Sequence, residues 1–297
     1  MNALGFRTKN RELCRQAVAA LEAERPMTLR QLFYRMVSAG ALANSQKEYK
    51  RLGGVMTKLR EAGDVPLTWL VDHVRSTLKP SSWSGLDDFG DTVRHAYRKN
   101  LWAQMPHHVE VFVEKDAIAG TVQPVTREYD VALQVCRGYA SLSFVGEIAG
   151  QWAKVRKPVY AYYLGDCDPS GFDIERDLKA KLARYSGREF SWHRLAVRRE
   201  DFERHNLIAL PVKSTDNRAR EFRTRHGTAC AEVDALPPSE LRARVLAAIE
   251  SHIDPARWAR LLEVERLEQE TLGELVGGWD GKTNLDPLSR PGQEGPP

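Results

Sequence analysis

Apolar residues recur at helical spacing through the first sixty positions and then give way to short β-rich runs. The chain therefore reads as a helical front followed by an alternating α/β back. Leu13, Ala17, Val18 and Leu21 share one face of a helix predicted from Asn10 to Glu24, which stops before Pro26. Thr28 is a predicted cap for a second helix, LRQLFYRMVSAG, in which Leu29, Leu32, Phe33, Met36 and Val37 form one apolar stripe ended by Gly40. Tyr34 falls about 100° off that stripe, beside Arg30 and Ser38, a placement that predicts exposure. A third helix, from Tyr49 to Ala62, turns Leu52, Val55, Met56 and Leu59 to one side, places Lys50, Arg51, Lys58 and Arg60 elsewhere, and is closed by Gly63.

The next segment, DVPLTWLVDHVR at residues 64–75, predicts a short β element with turn residues. Three helices and a small wing, with a basic third helix, is the order of a winged helix-turn-helix, whose third helix lies against DNA. PSSWSGLDDFGDT, residues 80–92, is rich in turn formers and acids and reads as a linker. Beyond it VEVFVE (109–114), VALQVC (131–136) and VYAYYLGD (159–166) are predicted strands, with helical stretches from Ile118 to Val125 and from Leu142 to Trp152 between them. Such alternation predicts a largely parallel, Rossmann-like sheet with its functional residues at the carboxyl ends of the strands. FSWHRLAV (190–197) and LIALPV (207–212) are candidates for further strands. ELRARVLAAIESHI (240–253) and PARWARLLEVERLEQETL (255–272) are predicted helices, the second charged enough for a surface or subunit contact. The stretch from Gly277 to Pro297, dense in Gly, Pro and Asp, predicts disorder. The expected division is a DNA-binding front with linker over residues 1–105, an α/β domain with C-terminal helices over 106–276, and a tail over 277–297.

Composition narrows the class. With 297 residues, 42% hydrophobic and 28% charged, the chain has material for two domains and no apolar run near the ~20 residues a membrane helix needs. MNALGFRTKNREL lacks the basic, apolar and small-residue order of a secretory signal, so a cytoplasmic protein with no membrane contact is expected. Cys14, Cys136, Cys167 and Cys230 are scattered without a CxxC pair, which indicates buried thiols rather than zinc or disulfides. The net charge of +4 is uneven: residues 1–105 hold 17 Lys and Arg against 10 Asp and Glu, and the remainder 27 against 30. A basic front and a slightly acidic back suit a DNA-gripping module joined to a metal-binding one, although a solvated basic surface gives the same count.

The candidate chemistry lies at two predicted strand ends. Glu114 ends the first strand of the back half, and Asp166 and Asp168 follow the third in GDCDPSG. Residues two apart on an extended segment point the same way, so both aspartates can address one side while Cys167 turns inward. Oxygen donors without His or Cys favour a hard ion such as Mg²⁺. A DxD alone is common in loops, and an acid after a strand often caps the next helix. Its pairing with a strand-terminal glutamate in the right β-α-β order is what points to a site. Lys115 adjoins Glu114 as a balancing charge, and Asp173 lies on the following helix. His107 and His108 read as a solvated loop, and Trp69, Trp83, Trp152 and Trp258 as core or interface anchors.

VEKDAI (113–118), CRGYASLSF (136–144), GDCDPSGFDI (165–174) and AEVDAL (231–236) resemble the TOPRIM motifs of the A subunit of topoisomerase VI and its meiotic double-strand-break relative. The resemblance implies a winged-helix domain followed by a TOPRIM domain, with Mg²⁺ on Glu114, Asp166 and Asp168. Arg137-Gly138-Tyr139 matches a GKGYP-like motif with alanine in place of proline, and Glu232 matches a later glutamate. LRQLFYR resembles the family's RDIYY-like motif, which assigns Tyr34 the role of nucleophile forming a 5′-phosphotyrosine bond. Arg30 or Arg35 would then lower the phenol pKa or hold the phosphate. The catalytic candidates are Tyr34, Glu114 and Arg30. The candidates for DNA contact are Arg35, Lys50, Arg51, Lys58 and Arg137.

The implied protein is a homodimer that makes Mg²⁺-dependent breaks in double-stranded DNA, with the tyrosine of one protomer serving the metal of the other. The chain has no Gly-rich nucleotide-binding motif, so a separate ATPase subunit would supply any ATP-driven gating. Two other readings stand beside it: a TOPRIM nuclease that uses water and ignores Tyr34, and a non-catalytic DNA-binding module.

Overall fold

The structure, a computed structural model, describes residues 8–71, 81–212 and 216–277. These fall into two compact units, one drawn from residues up to 76 and from 105 to 253, the other from residues 77–104 and from 254 onward. The expected tail beyond Gly277 lies outside the described residues.

In the first unit, helices α1 (Thr8–Ala23), α2 (Leu29–Ser38) and α3 (Gln46–Glu61) pack on one another. Leu13, Ala17, Val18 and Leu21 of α1 are buried, as their spacing requires. Thr28 caps α2 in a reciprocal box: its hydroxyl accepts from the Gln31 N–H at 3.2 Å, and the Gln31 side chain accepts from the Thr28 N–H at 2.8 Å. Ser45 caps α3, and Gly63 beyond its end takes φ +79°, a conformation open to glycine. The expected β element after α3 is not formed among the described residues. Pro66 instead starts a 3₁₀ turn, Leu67–Trp69, closed by the Trp69 N–H on the Pro66 carbonyl at 3.1 Å. Only one bridge follows, Leu70 beside Met27; residues 72–75 of that prediction lie outside the described residues.

The back of this unit is an α/β sheet. Strands β1 (His108–Val113), β2 (Ala132–Val135), β3 (Val159–Leu164) and β4 (Ser191–Ala196) are all parallel, in the order β2-β1-β3-β4. Helices α5 (Asp116–Glu128), α6 (Leu142–Trp152) and α7 (Pro169–Ser186) make the crossovers. Phe112, Ala161 and Tyr163 pack with Val145, Ile148, Trp152, Leu178 and Leu182 from α6 and α7. Alternation turns Val111 and Tyr162 the other way, where α5 covers β1 and β2. Later in the chain come α8 (Asp201–Arg204), β5 (Leu210–Pro211), α9 (Ala219–His226), β6 (Ala229–Cys230) and α10 (Pro238–Glu250), the last packing on α5. Of LIALPV only two residues form a strand, and β5 pairs antiparallel with β6 rather than joining the main sheet.

Two features of the sheet differ from expectation. His108 belongs to β1 rather than to a solvated loop, with Nε2 2.8 Å from Glu110, while His107 contacts His252 at 3.0 Å. Glu110, buried, also accepts from Trp152 Nε1 at 2.8 Å and Gln134 Nε2 at 3.1 Å, so three donors compensate a charge that burial alone would penalise.

The second unit pairs α4 (Leu86–Ala96) with α11 (Pro255–Gly277). Helix α4 lies in and beyond the segment expected to be a linker. Leu86, Phe89 and Val93 recur at helical spacing, Asp87 and Asp88 favour the first turn, and Arg94 and His95 the last. Gly90 made that stretch look like a breaker. It is instead a packing residue: a Cβ there would sit 1.8 Å from Val276 Cγ1 of α11. Trp102 and Trp258 meet edge-to-face at 5.6 Å in the same unit.

Candidate active site

Strand order reverses between β1 and β3: the chain leaves β1 for β2 on one side and later enters β3 on the other. Carboxyl ends at such a switch point form the natural crevice of an open α/β sheet. Glu114 follows β1 there, its N–H bonded to the Leu164 carbonyl at 3.0 Å, and Asp166 follows β3. Glu114 Oε2 accepts the Asp166 N–H at 2.9 Å, so the two acids are clamped together. Two glycines of GDCDPSG make this approach fit. A Cβ on Gly165 would lie 2.6 Å from Glu114 Oε2, and one on Gly171 2.4 Å from the Asp166 carbonyl oxygen. Asp168 caps α7, with Oδ1 accepting the Gly171 N–H at 2.7 Å. The helix-cap reading of Asp168 therefore holds, and its charge also raises the Glu114 pKa.

A second pair of acids enters from the 3₁₀ turn Val233–Ala235. Asp166 Oδ1 accepts the Val233 N–H at 2.9 Å, tying this turn to the β3 loop. Lys115 Nζ stands among three carboxylates: Asp166 Oδ2 at 2.7 Å, Glu232 Oε2 at 3.2 Å and Asp234 Oδ2 at 3.3 Å. Burial opposes charge on Lys115, but the three acids outweigh it and hold the proton well above the usual lysine range. Burial pushes the Asp166 carboxyl up to about 7, with Glu114 adding to the rise and Lys115 opposing it. Glu114 is likewise raised by burial. Glu232 goes the other way, because Lys115 and Arg30 outweigh its burial.

Helix α2 docks on this cluster. Arg30 donates to Glu232 and lies 4.0 Å from Asp234, and Gln31 Nε2 donates to Thr121 Oγ1 of α5 at 2.8 Å. Tyr34 is therefore not the exposed residue its position off the apolar stripe predicts: it is 8% exposed. The physical reason is that α2 is covered on two sides, by α1 and α3 and by the Val233–Ala235 turn, and one stripe cannot describe a helix with two buried faces. Burial and then the Glu232 charge push the Tyr34 phenol up to about 12, against the opposing pull of Arg30.

The structure links Arg30 and Tyr34 to Glu232, Glu114 to Asp166, and Asp166, Glu232 and Asp234 to Lys115, while Asp168 reaches Glu114 only through its charge. Glu232 was singled out in the sequence only through resemblance, and Asp234 was missed. Its signal was the E-x-D spacing in AEVDAL, which repeats the alternation of GDCD. The DNA-contact candidates are dispersed. Arg35 is 3.4 Å from Glu24, and Arg51 is half-buried, bonded to Asn10 and Glu48. Lys50 and Lys58 are exposed on α3. Arg137, at φ +53° just beyond β2, pairs with Asp116 at 2.9 Å. All four cysteines are buried and free.

Oxygen-only donors suit a hard divalent ion, and Asp234 Oδ1, buried without a hydrogen-bond partner, is a donor atom left over at the cluster. Yet among the described residues no three His, Cys, Asp or Glu side chains gather closely enough to hold a metal ion together. Three of the acids share the Lys115 ammonium instead. Among the described residues, too, no helix is long and apolar enough to cross a membrane. No protein-family model matches the chain, and no curated protein matches it.

Proposed function

We propose that this chain is a DNA-cleaving protein with a winged-helix front on a TOPRIM-type sheet, in which Tyr34 attacks a phosphodiester of double-stranded DNA. One observation carries the reading: α2 sets Tyr34 and Arg30 against Glu232, within the same unit as the acids at the β1 and β3 ends. In the proposed step the Tyr34 oxygen forms a bond to phosphorus, the bond from phosphorus to the 3′ oxygen breaks, and the leaving oxygen takes up a proton. Such a phosphotyrosine conserves the bond for religation. A phenol with a raised pKa needs a base, and Glu232 beside it is placed to accept the proton. Arg30 orients Glu232 and stands next to where the phosphate would enter. Mg²⁺ on Glu114, Asp166 and Asp168 would supply charge neutralisation at the phosphoryl oxygens. Because Tyr34 and Glu232 meet within one chain, each protomer of the proposed cytoplasmic homodimer carries both, and any ATP-driven gating would come from a separate ATPase subunit.

The burial of Tyr34 favours a second reading, a TOPRIM nuclease in which water attacks instead. Supercoiled plasmid incubated with Mg²⁺ and quenched in denaturant separates the two. Tyrosyl transfer leaves protein on the 5′ ends and is lost in Tyr34→Phe. Free 5′-phosphate ends that persist in Tyr34→Phe would overturn the first reading.

A further inference from the structure

Away from the acids at the strand ends, the edge of the sheet carries a cavity of about 360 Å³ bounded by β4, α7 and α9. Its floor is aromatic: Phe172 of α7, Trp192 of β4, and Phe222 and His226 of α9, all buried or half-buried. These rings are held in place. His226 stacks on Phe172 with 3.7 Å between ring centroids, the Arg194 guanidinium lies 4.1 Å from the Phe172 centroid, and Trp192 Nε1 donates to Glu175 at 2.8 Å. Burial, then Arg194 and Arg225, lower the His226 pKa from 6.5, so at neutral pH it presents an uncharged ring. The mouth is charged instead, with exposed Arg176, Lys179, Glu221 and Arg225.

The charges there are unevenly spent. Asp173 pairs with Arg176 at 2.7 Å, Glu221 with Arg225 at 2.9 Å and Glu175 with Arg194 at 2.7 Å, while Asp216 holds Arg218 at 2.9 Å. Lys179 is left as the lining cation with no ion pair among the described residues. The cavity lies within the roughly 300–1,000 Å³ of small-molecule sites. Planar walls below one unspent cation fit a ligand with a planar, uncharged body and an anionic end. That is the order of a nucleotide, whose base stacks on aromatic side chains and whose phosphate an ammonium holds as a point charge.

We propose that this cavity binds one unpaired nucleotide, with the base among the four rings and the phosphate on Lys179. None of Tyr34, Glu114, Asp166, Glu232 and Asp234 lines it, so the site stands or falls apart from the proposed cleavage chemistry. The nucleotide is either free or an unpaired residue of a nucleic-acid strand, since both present the same base and phosphate.

Titration calorimetry on the full chain, without divalent metal, tests this with dAMP, deoxyadenosine and a single-stranded oligodeoxyadenylate as probes. Wild type is expected to bind dAMP about tenfold more tightly than deoxyadenosine, the scale of one charge-assisted contact. Lys179→Met, at an exposed position, is expected to bind the two equally. His226→Ala is expected to weaken both by about tenfold through lost stacking. Thermal melts check each variant, and His226→Gln serves should the alanine variant fail to fold. A strand whose affinity falls in both variants identifies an unpaired residue of nucleic acid as the source; losses confined to dAMP and deoxyadenosine identify the free nucleotide. A Lys179→Met variant that still prefers dAMP would overturn the proposal. So would absence of dAMP binding at millimolar concentration together with strand affinity untouched by the His226 variant.

Discussion

Gly165 shows how single atoms set this site. The Glu114 carboxylate crosses the place where any side chain at 165 would begin, and Tyr163 closes the same space from the other side at 2.5 Å. Gly165→Ala is expected to destabilise the fold by about 1–3 kcal/mol, as overpacking does in a tight core. It should also separate Glu114 from the Asp166 N–H. Chemical denaturation measures the first effect, and a stability equal to wild type would show that the clamp is looser than described. A second residue, His252, sits far along the chain from these acids. It contacts His107 at 3.0 Å and the Tyr162 hydroxyl at 2.6 Å, and the rings of Tyr160 and His193 border it. Burial, then His107 and His193, push its pKa from 6.5 down to about 4. Below pH 6.5 the unfolded chain takes up a proton that the folded one refuses, so this group's stability contribution falls as pH drops from 6.5 to 4. Urea titrations across that window should show a shallower decline for His252→Gln than for wild type; parallel declines would mean that other groups carry the acid sensitivity.

At the scale of elements, strands and helices with one clear periodicity were legible from the residues. The three runs VEVFVE, VALQVC and VYAYYLGD hold β2, β3 and all of β1 but His108, and Leu142–Trp152 is α6. Thr28 was legible too, because a hydroxyl ahead of an apolar stripe has a local meaning. Thr28→Ala should cost about 1 kcal/mol of stability, by loss of the box with Gln31. Thermal melting would detect it, and an unchanged midpoint would place the stability of α2 in its tertiary contacts alone. Helix α4 was hidden because Gly90 and the turn formers before it resemble a loop, while its meaning lies in Val276, far along the chain. The β element expected after α3, which the described residues do not form, is the reverse case: β-prone residues followed Pro66, and the local turn won. Such outcomes are set by partners that periodicity does not reveal.

On the scale of the whole molecule, the described residues form a mixed α/β fold with a four-stranded parallel sheet. The pairing of Glu114 with Asp166 was legible because strand ends in a parallel sheet converge by topology. The contacts of Arg30 with Glu232 and of Lys115 with Asp234 were not, since they join segments more than a hundred residues apart. These contacts place the three front helices and the sheet in one unit, while α11 groups with α4 in the other. The proposed chemistry needs Tyr34 as a nucleophile beside that acidic cluster. Mass spectrometry of the protein after incubation with DNA and Mg²⁺, a denaturing quench and exhaustive nuclease digestion tests it most directly. A nucleotide remnant esterified to the Tyr34 peptide is expected; cleaved DNA with an unmodified Tyr34 peptide would contradict the proposed tyrosyl transfer.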